Sequence, residues 1–144
     1  MAHAGQEIQS PGGMQLRFVR TGAETDGELL EMEATYSGDG GMPPMHLHPR
    51  QAERFEVIEG AMRAIVGDDE RVFDTGESFE VPAGTPHQMG AEGPTRMLWE
   101  VRPALRTAEF FERLYSEGPD GARELGEKFF AEFHEEFRLA QPAD

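Results

Sequence analysis

The sequence predicts an all-β barrel or sandwich followed by C-terminal α-helices, and three observations lead to this fold class. Short runs rich in β-branched and aromatic residues follow one another closely from position 14 to position 102. Turn-forming residues separate these runs, and the chain contains 17 glycines and 10 prolines. From position 103 onward, apolar residues recur at the three- and four-residue spacings of a helix. A chain of 144 residues has the length of a single domain.

The predicted strands follow in order along the central part of the chain. At 28–36 the residues alternate, so that Leu30, Met32, Ala34 and Tyr36 share one face. Many short strands with tight turns between them favour a sandwich or barrel over a sheet whose strands alternate with helices. The full set of predicted strands covers 15–20, 28–36, 55–59, 61–66, 71–73, 78–81 and 96–102.

The two ends of the chain differ from this β-rich part. Residues 1–13 carry neither a basic cluster nor an apolar run, so we expect a mobile N-terminal tail and not a secretory signal. In the extension over 103–144, Thr107 is a candidate N-cap for one helix and Asp120 for a second helix over 122–139. An apolar face on the second helix predicts packing against the barrel, with a dimer contact or a lid as the alternatives. That face consists of Ala122, Leu125, Phe129, Phe133 and Phe137.

Charge and composition argue against several classes of function. Acidic residues number 28 against 13 basic ones, which gives a formal net charge of −15. Such a chain repels phosphate backbones and anionic membranes, so we expect neither nucleic acid nor a membrane as partner. The chain has no cysteine, which excludes disulfides, thiolate metal sites and cysteine nucleophiles, and a cytoplasmic location is the simplest expectation.

Two segments bring together residue types that bind metals. His46 and His48 are two residues apart, and residues with this spacing in a strand project from the same face. Glu53 follows them and leads into the next predicted strand. A Pro-Ala-Gly reversal at 82–84 then places His87 at the start of another strand. One hairpin lies between the two segments, so we expect it to bring them side by side.

Three imidazoles and one carboxylate form a ligand set of borderline softness. This set suits Fe, Mn, Ni, Cu or Zn, whereas Ca and Mg prefer oxygen ligands throughout. We therefore predict one divalent transition metal held by His46, His48, Glu53 and His87. Four protein ligands in an octahedral sphere leave two positions for water or substrate, unlike a closed structural zinc site.

The two segments resemble the two sequence motifs of the cupin superfamily, and specifically its small single-domain bacterial members of the RmlC-like, type-2 kind. The resemblance implies a double-stranded β-helix, or jelly-roll barrel, over 14–102, and a homodimer. The second motif ends in Ala91 where the family has asparagine, which is not usually a ligand there. The matching positions are Gly40, His46, His48, Glu53 and Gly60 in the first motif, and Gly76, Pro82, Gly84 and His87 in the second.

Function is less closely determined, because one fold supports many reactions. The leading prediction is a metal-dependent dioxygenase on a small aromatic or apolar substrate, with Glu53 also able to act as a base. The alternatives are an isomerase or cyclase, which needs a further base such as Tyr36 or Glu100, and a non-catalytic small-molecule binder or sensor. Candidate pocket residues, for which loop contacts or barrel filling are the competing interpretations, are Gln51, Phe55, Met97 and Trp99.

Overall fold

Two antiparallel sheets face each other in this computed structural model, which describes residues 2–10, 13–116 and 121–140, without the side chains of 121–125. The helices are α1 (Gly22–Thr25), α2 (Thr107–Ser116) and α3 (Gly121–Glu132). The strands are β1 (Glu7–Gln9), β2 (Met14–Arg20), β3 (Leu30–Tyr36), β4 (His46–Leu47), β5 (Ala52–Glu59), β6 (Ala61–Val66), β7 (Asp69–Asp74), β8 (Ser78–Val81), β9 (His87–Ala91), β10 (Thr95–Arg102) and β11 (Arg138–Leu139).

The strand order shows a jelly roll. One sheet has the order β1-β2-β3-β10-β5-β8, and the other has the order β11-β4-β9-β6-β7. From β4 to β10 the chain passes repeatedly from one sheet to the other, and only the β6–β7 hairpin stays within one sheet. The predicted fold class, an all-β jelly-roll barrel with C-terminal helices, is confirmed.

The core lies between the inner faces of the two sheets. On β3, Leu30, Met32 and Ala34 are fully buried, as the alternation in the sequence predicts. Opposite them on β10, Met97 and Val101 are also buried, at 0% and 1% exposure. Because inward positions alternate with solvent-facing ones, the outer side of this sheet carries the charged residues.

The N-terminal region differs from the mobile tail expected over 1–13. Residues Glu7–Gln9 form β1, which pairs with β2 through Ile8 opposite Leu16. The side chain of Ile8 packs against the core. A strand of three residues is too short to show alternation, so its pairing partner determines it and the local sequence does not.

The helical extension begins as predicted and ends earlier. Helix α2 starts at Thr107, but α3 ends at Glu132 instead of continuing to position 139. A turn follows, in which the Phe137 N–H donates to the Phe133 carbonyl, and the chain then forms β11 against β4. The apolar spacing persists through the turn because Phe133 and Phe137 both still face the molecule. The predicted Asp120 cap and the side chains of Ala122 and Leu125 lie outside the described residues.

Aromatic packing fixes the extension to the barrel. Phe110 of α2 stacks on Phe129 at a centroid distance of 5.3 Å and on Phe137 at 5.1 Å. Phe110, Phe129 and Phe133 are at most 2% exposed, so their rings belong to the common core. None of the helices in the described part of the chain is long and apolar enough to cross a membrane.

Candidate metal centre and adjoining cavity

Four side chains from both sheets converge between the walls of the barrel. His46 lies on β4, directly opposite His87 on β9, and His48 follows β4 immediately. Glu53 enters from β5 in the other sheet. The proline-containing turn between His48 and Glu53 carries the chain from one wall to the other, so one short segment supplies donors from two sides.

The distances within this group suit a cation. Ligand nitrogens of the three histidines all lie within 4.8 Å of one another. The Glu53 Oε1 atom lies 3.1 Å from His48 Nε2 and 2.9 Å from His87 Nε2. These three atoms are buried, and none has a hydrogen-bond partner within the described part of the structure. Buried polar atoms without partners are costly, and a bound metal ion would satisfy all of them together. The three histidines could therefore bind a metal.

Backbone carbonyls orient each imidazole. The Nδ1 atoms of His46, His48 and His87 lie 3.1, 2.7 and 2.9 Å from the carbonyl oxygens of Pro44, Glu136 and Thr85 respectively. A carbonyl oxygen only accepts, so each Nδ1 carries the proton and donates it. In the neutral ring, Nε2 then holds a free lone pair, which is the arrangement that metal-binding histidines require.

The electrostatics favour a neutral His46 and an ionised Glu53. Burial and the neighbouring imidazoles of His87 and His48 lower the pKa of His46 to about 4. Burial alone would raise the pKa of Glu53, but the facing His48 and His87 more than offset it and hold that pKa well below its usual range. Burial depresses the pKa of His48, yet the Glu53 carboxylate outweighs it and the net shift is upward. At neutral pH, His46 is thus neutral and Glu53 is an anion.

The second oxygen of Glu53 has a partner that the sequence analysis missed. The indole N–H of Trp99 donates to Glu53 Oε2 at 2.7 Å. In the pairing of β10 with β5, Val101 lies opposite Glu53 and Trp99 opposite Phe55, so the indole reaches the carboxylate diagonally. The sequence analysis names Trp99 only as a candidate pocket residue, and the strand register shows which side chain its indole meets.

A cavity of about 710 Å³ opens beside the four side chains. This volume is in the range of small-molecule sites. Aromatic and aliphatic side chains form most of its wall, and much of that wall comes from the extension. The described residues from the extension that line it are Phe110, Phe111, Leu114, Tyr115, Phe130, Phe137 and Leu139.

The structure separates the four candidate pocket residues. Phe55 and Trp99 line the cavity, whereas Gln51 and Met97 are not part of its described wall. The Gln51 amide instead donates to the carbonyls of Pro103 and Ala104 and to the Thr107 hydroxyl, which ties β5 to the start of α2. Met97 is fully buried in the core. Gln51 precedes β5, and Met97 lies two residues before Trp99 on β10.

Of the two bases considered for proton transfer, only Tyr36 lines the cavity. Glu100 pairs with Arg54 and Arg102 on the outer side of the sheet. Burial, with smaller contributions from Tyr115 and Glu53, raises the pKa of Tyr36. Burial also raises the pKa of Tyr115 to about 12. Both phenols are therefore neutral at ordinary pH, and each offers a hydroxyl in an otherwise apolar cavity.

Comparison with known proteins shows similarity to one protein family. Residues 32–101 match the profile of the family described as "Cupin domain". Over 75 residues the chain is 28% identical to quercetin 2,3-dioxygenase from Bacillus subtilis, a match that covers 52% of this chain and 22% of that protein. The chain thus spans only a small part of this curated relative.

Solved structures are similar in fold. An RmlC-like cupin from Shewanella frigidimarina has a TM-score of 0.62 at 20% identity, over 72% of this chain and 87% of that one. KdgF from Halomonas sp. has a TM-score of 0.60 at 20% identity, over 68% and 87%. The segment that matches the family profile contains all four converging side chains and Trp99, whereas the helical extension lies outside it.

Proposed function

We propose, from the premise that this chain belongs to the cupin superfamily, that it is a metal-dependent oxidoreductase of the dioxygenase type acting on a small aromatic or apolar substrate. One observation carries the proposal. Buried donor atoms of His48, Glu53 and His87, which have no hydrogen-bond partner among the described residues, converge beside a cavity with an aromatic wall. A metal centre with direct access to a substrate-sized space is the arrangement that such chemistry needs. The partial match to a quercetin dioxygenase supports the choice of reaction class.

The ligands we propose are His46, His48, Glu53 and His87, around one divalent ion of Fe, Mn, Ni, Cu or Zn. When bound, this ion supplies Lewis acidity and, if it is redox-active, an electron path between substrate and oxidant. The protein fixes three Nε2 atoms through the carbonyl contacts of their Nδ1 atoms, and Glu53 adds one negative charge. The further role predicted for Glu53, as a base, stays a prediction.

The wall of the cavity indicates the class of substrate. Its described residues include no lysine and no arginine, and Glu53 contributes a negative charge. A phosphate or carboxylate group would therefore enter without a counter-charge, which is costly in an apolar environment. Phenylalanine rings favour contact with a planar aromatic system. We propose a neutral or weakly acidic aromatic substrate, with the hydroxyls of Tyr36 and Tyr115 as hydrogen-bonding groups.

The test is oxygen consumption by protein loaded separately with Fe, Mn, Ni, Cu and Zn. In a dioxygenase both atoms of O₂ enter the organic products, so ¹⁸O₂ labelling should add two heavy oxygens to the products taken together. Substrates should include catechols, flavonols and β-diketones, each paired with a carboxylated analogue that we expect to be a poorer substrate. Absence of oxygen uptake with every metal across the panel would contradict the proposal.

A second candidate, an isomerase or cyclase, rests on the presence of Tyr36 in the cavity. Its raised pKa keeps the phenol protonated, so in this reaction it would serve as a hydrogen-bond donor to the substrate and not as the resting base. A product with the mass of the substrate, formed without O₂, would identify this case. Ligand-dependent thermal stabilisation with no turnover in either atmosphere would identify the third alternative, a binder or sensor.

The proposal also concerns the partners, the assembly state and the location of the protein. A small molecule is the proposed partner, and the charge of −15 argues against nucleic acid. A homodimer and a cytoplasmic location stay predictions. Light scattering during size-exclusion chromatography measures the mass of the assembly directly.

A further inference from the structure

We infer that Trp99 is a positioning residue that holds Glu53 so that only one of its carboxylate oxygens faces the histidines. The inference rests on the proposed metal ligation by this group and goes beyond it, because it assigns a role to a side chain that is itself no ligand. It depends on three features of the structure. The two oxygens of Glu53 have different neighbours, the hydrogen bond between Trp99 and Glu53 is buried, and neighbouring aromatic rings hold the indole in place.

The two oxygens of Glu53 have different neighbours. Oε1 lies 3.1 and 2.9 Å from the Nε2 atoms of His48 and His87. Oε2 accepts the indole N–H of Trp99 at 2.7 Å. An indole N–H can only donate, so this contact favours the ionised carboxylate and fixes which oxygen faces away from the histidines.

The contact is shielded from solvent. Glu53 is 3% exposed and Trp99 9% exposed. Little water can therefore replace the indole as a donor to Oε2, and losing the N–H would leave a buried charged oxygen without its partner. Rotation of the carboxylate until both oxygens face a bound cation would then lower its free energy.

The indole cannot follow such a rotation, because aromatic rings hold it on two sides. Phe55 stacks on it at a centroid distance of 5.3 Å and an interplanar angle of 28°. Phe111 of α2 packs against it edge-on at 5.4 Å and 63°. The helical extension therefore contributes to the geometry of the metal centre through Trp99, although α2 lies outside the segment that matches the family profile.

A single atom can be changed to test this role. Trp99 is the only tryptophan of the chain, so growth of a tryptophan auxotroph on 3-benzothienylalanine replaces this residue alone, with sulfur in place of the N–H. We expect the dissociation constant for Co²⁺ or Zn²⁺ to rise roughly 10- to 100-fold, as it does when an outer hydrogen bond to a ligand is lost. We also expect the visible absorption of the Co²⁺ form to shift, since two-oxygen coordination changes the ligand field.

Trp99→Phe is the second variant, with the same expected direction, should the analogue fold poorly. Phe79→Leu is the matched control. Phe79 is 9% exposed and stacks on Phe55, but it is not part of the described cavity wall. The Phe79→Leu substitution should lower thermal stability and leave the metal affinity and the Co²⁺ spectrum unchanged. A change in the Co²⁺ spectrum of this control like that of the Trp99 variants would show a packing effect and overturn the inference.

The outcomes separate this inference from the proposed function. Failure of the unmodified protein to bind one equivalent of any of the five metals would remove the proposed metal centre, and the role of Trp99 with it. Normal binding by the unmodified protein, with an identical dissociation constant and Co²⁺ spectrum for the sulfur analogue, would overturn the role of Trp99 alone. Weaker binding with a shifted spectrum would support both.

Discussion

The orientation of His48 depends on one backbone carbonyl far away in sequence. Its Nδ1 donates to the carbonyl of Glu136 at 2.7 Å, while its Nε2 lies beside Glu53. His46 and His87 instead use carbonyls only two residues away, those of Pro44 and Thr85. Of the three imidazoles, His48 is therefore the one whose Nδ1 contact comes from the C-terminal segment.

This distribution of contacts leads to a prediction for single histidines. His48→Ala should lower the metal content of protein purified without added metal from one equivalent to a small fraction, because it removes one of the four proposed ligands. Elemental analysis by mass spectrometry measures this content. His134→Ala is the matched control, since His134 is exposed and its ring nitrogen lies beside the Ala131 carbonyl, away from the candidate centre. Equal metal content in the two variants would show that His48 is not a ligand.

Gln51 shows how a polar residue near such a centre can serve the fold instead. The residue is 1% exposed, and its amide bridges the start of β5 and the start of α2. From the sequence, a ligand-binding role and a structural role were equally reasonable, because both require a polar side chain close to Glu53. Only the three acceptors around its amide nitrogen distinguish them.

Among the elements, the hairpin between β5 and β6 has a closely packed glycine at its turn. Gly60 has a φ of 95°, and a Cβ atom there would lie 2.5 Å from the Pro94 carbonyl oxygen and 2.7 Å from the Thr95 hydroxyl. The Gly76 backbone has a similar φ of 89°, but a Cβ there would meet nothing within 4 Å. These two glycines of the sequence motifs thus share a left-handed backbone conformation, but only Gly60 has neighbouring atoms where a Cβ would lie.

The comparison gives a prediction for stability. Gly76→Ala should cost about 1–2 kcal/mol of unfolding free energy, the penalty for a left-handed conformation with a Cβ. Gly60→Ala should cost clearly more, because the neighbouring strand end must also move. Urea denaturation of both variants measures the difference. Equal losses of unfolding free energy in the two variants would mean that the backbone near Pro94 moves aside without loss of stability.

Elements with their own pattern were predictable, and elements that depend on a partner were not. Strands such as β3 and β10 alternate over seven or eight residues, so their inward faces follow from the sequence. β1, β4 and β11 have only two or three residues, and pairing across the sheet defines them. The predicted helix over 122–139 ran too far because aromatic spacing persists through a turn whose rings still pack inward.

At the scale of the whole molecule, the candidate metal centre connects the two sheets. His46 and His87 belong to strands of the five-stranded sheet, and Glu53 belongs to the six-stranded one. A cation held by all of them would link opposite walls of the barrel. Sequence motifs predicted which donors converge, but the indole, the Glu136 carbonyl and the aromatic wall come from tertiary contacts that no local pattern encodes.

A metal that binds only the folded chain should raise its stability. At a free metal concentration of 100 times the dissociation constant, the gain is about 2.7 kcal/mol. Differential scanning calorimetry should therefore show a melting temperature several degrees higher for the metal-loaded protein than after chelation. His48→Ala should lose most of this difference. An equal melting temperature in both states of the unmodified protein would contradict metal binding by the native fold.

The hydrogen bond between Trp99 and Glu53 also gives this protein an optical probe at its centre. Because the chain has a single indole, its ultraviolet emission comes from one place, in direct contact with a candidate ligand. Binding of a paramagnetic ion such as Cu²⁺ or Co²⁺ beside that carboxylate should quench the fluorescence. Titration of the emission would then follow occupancy of the centre in the unlabelled protein, independently of any catalytic assay.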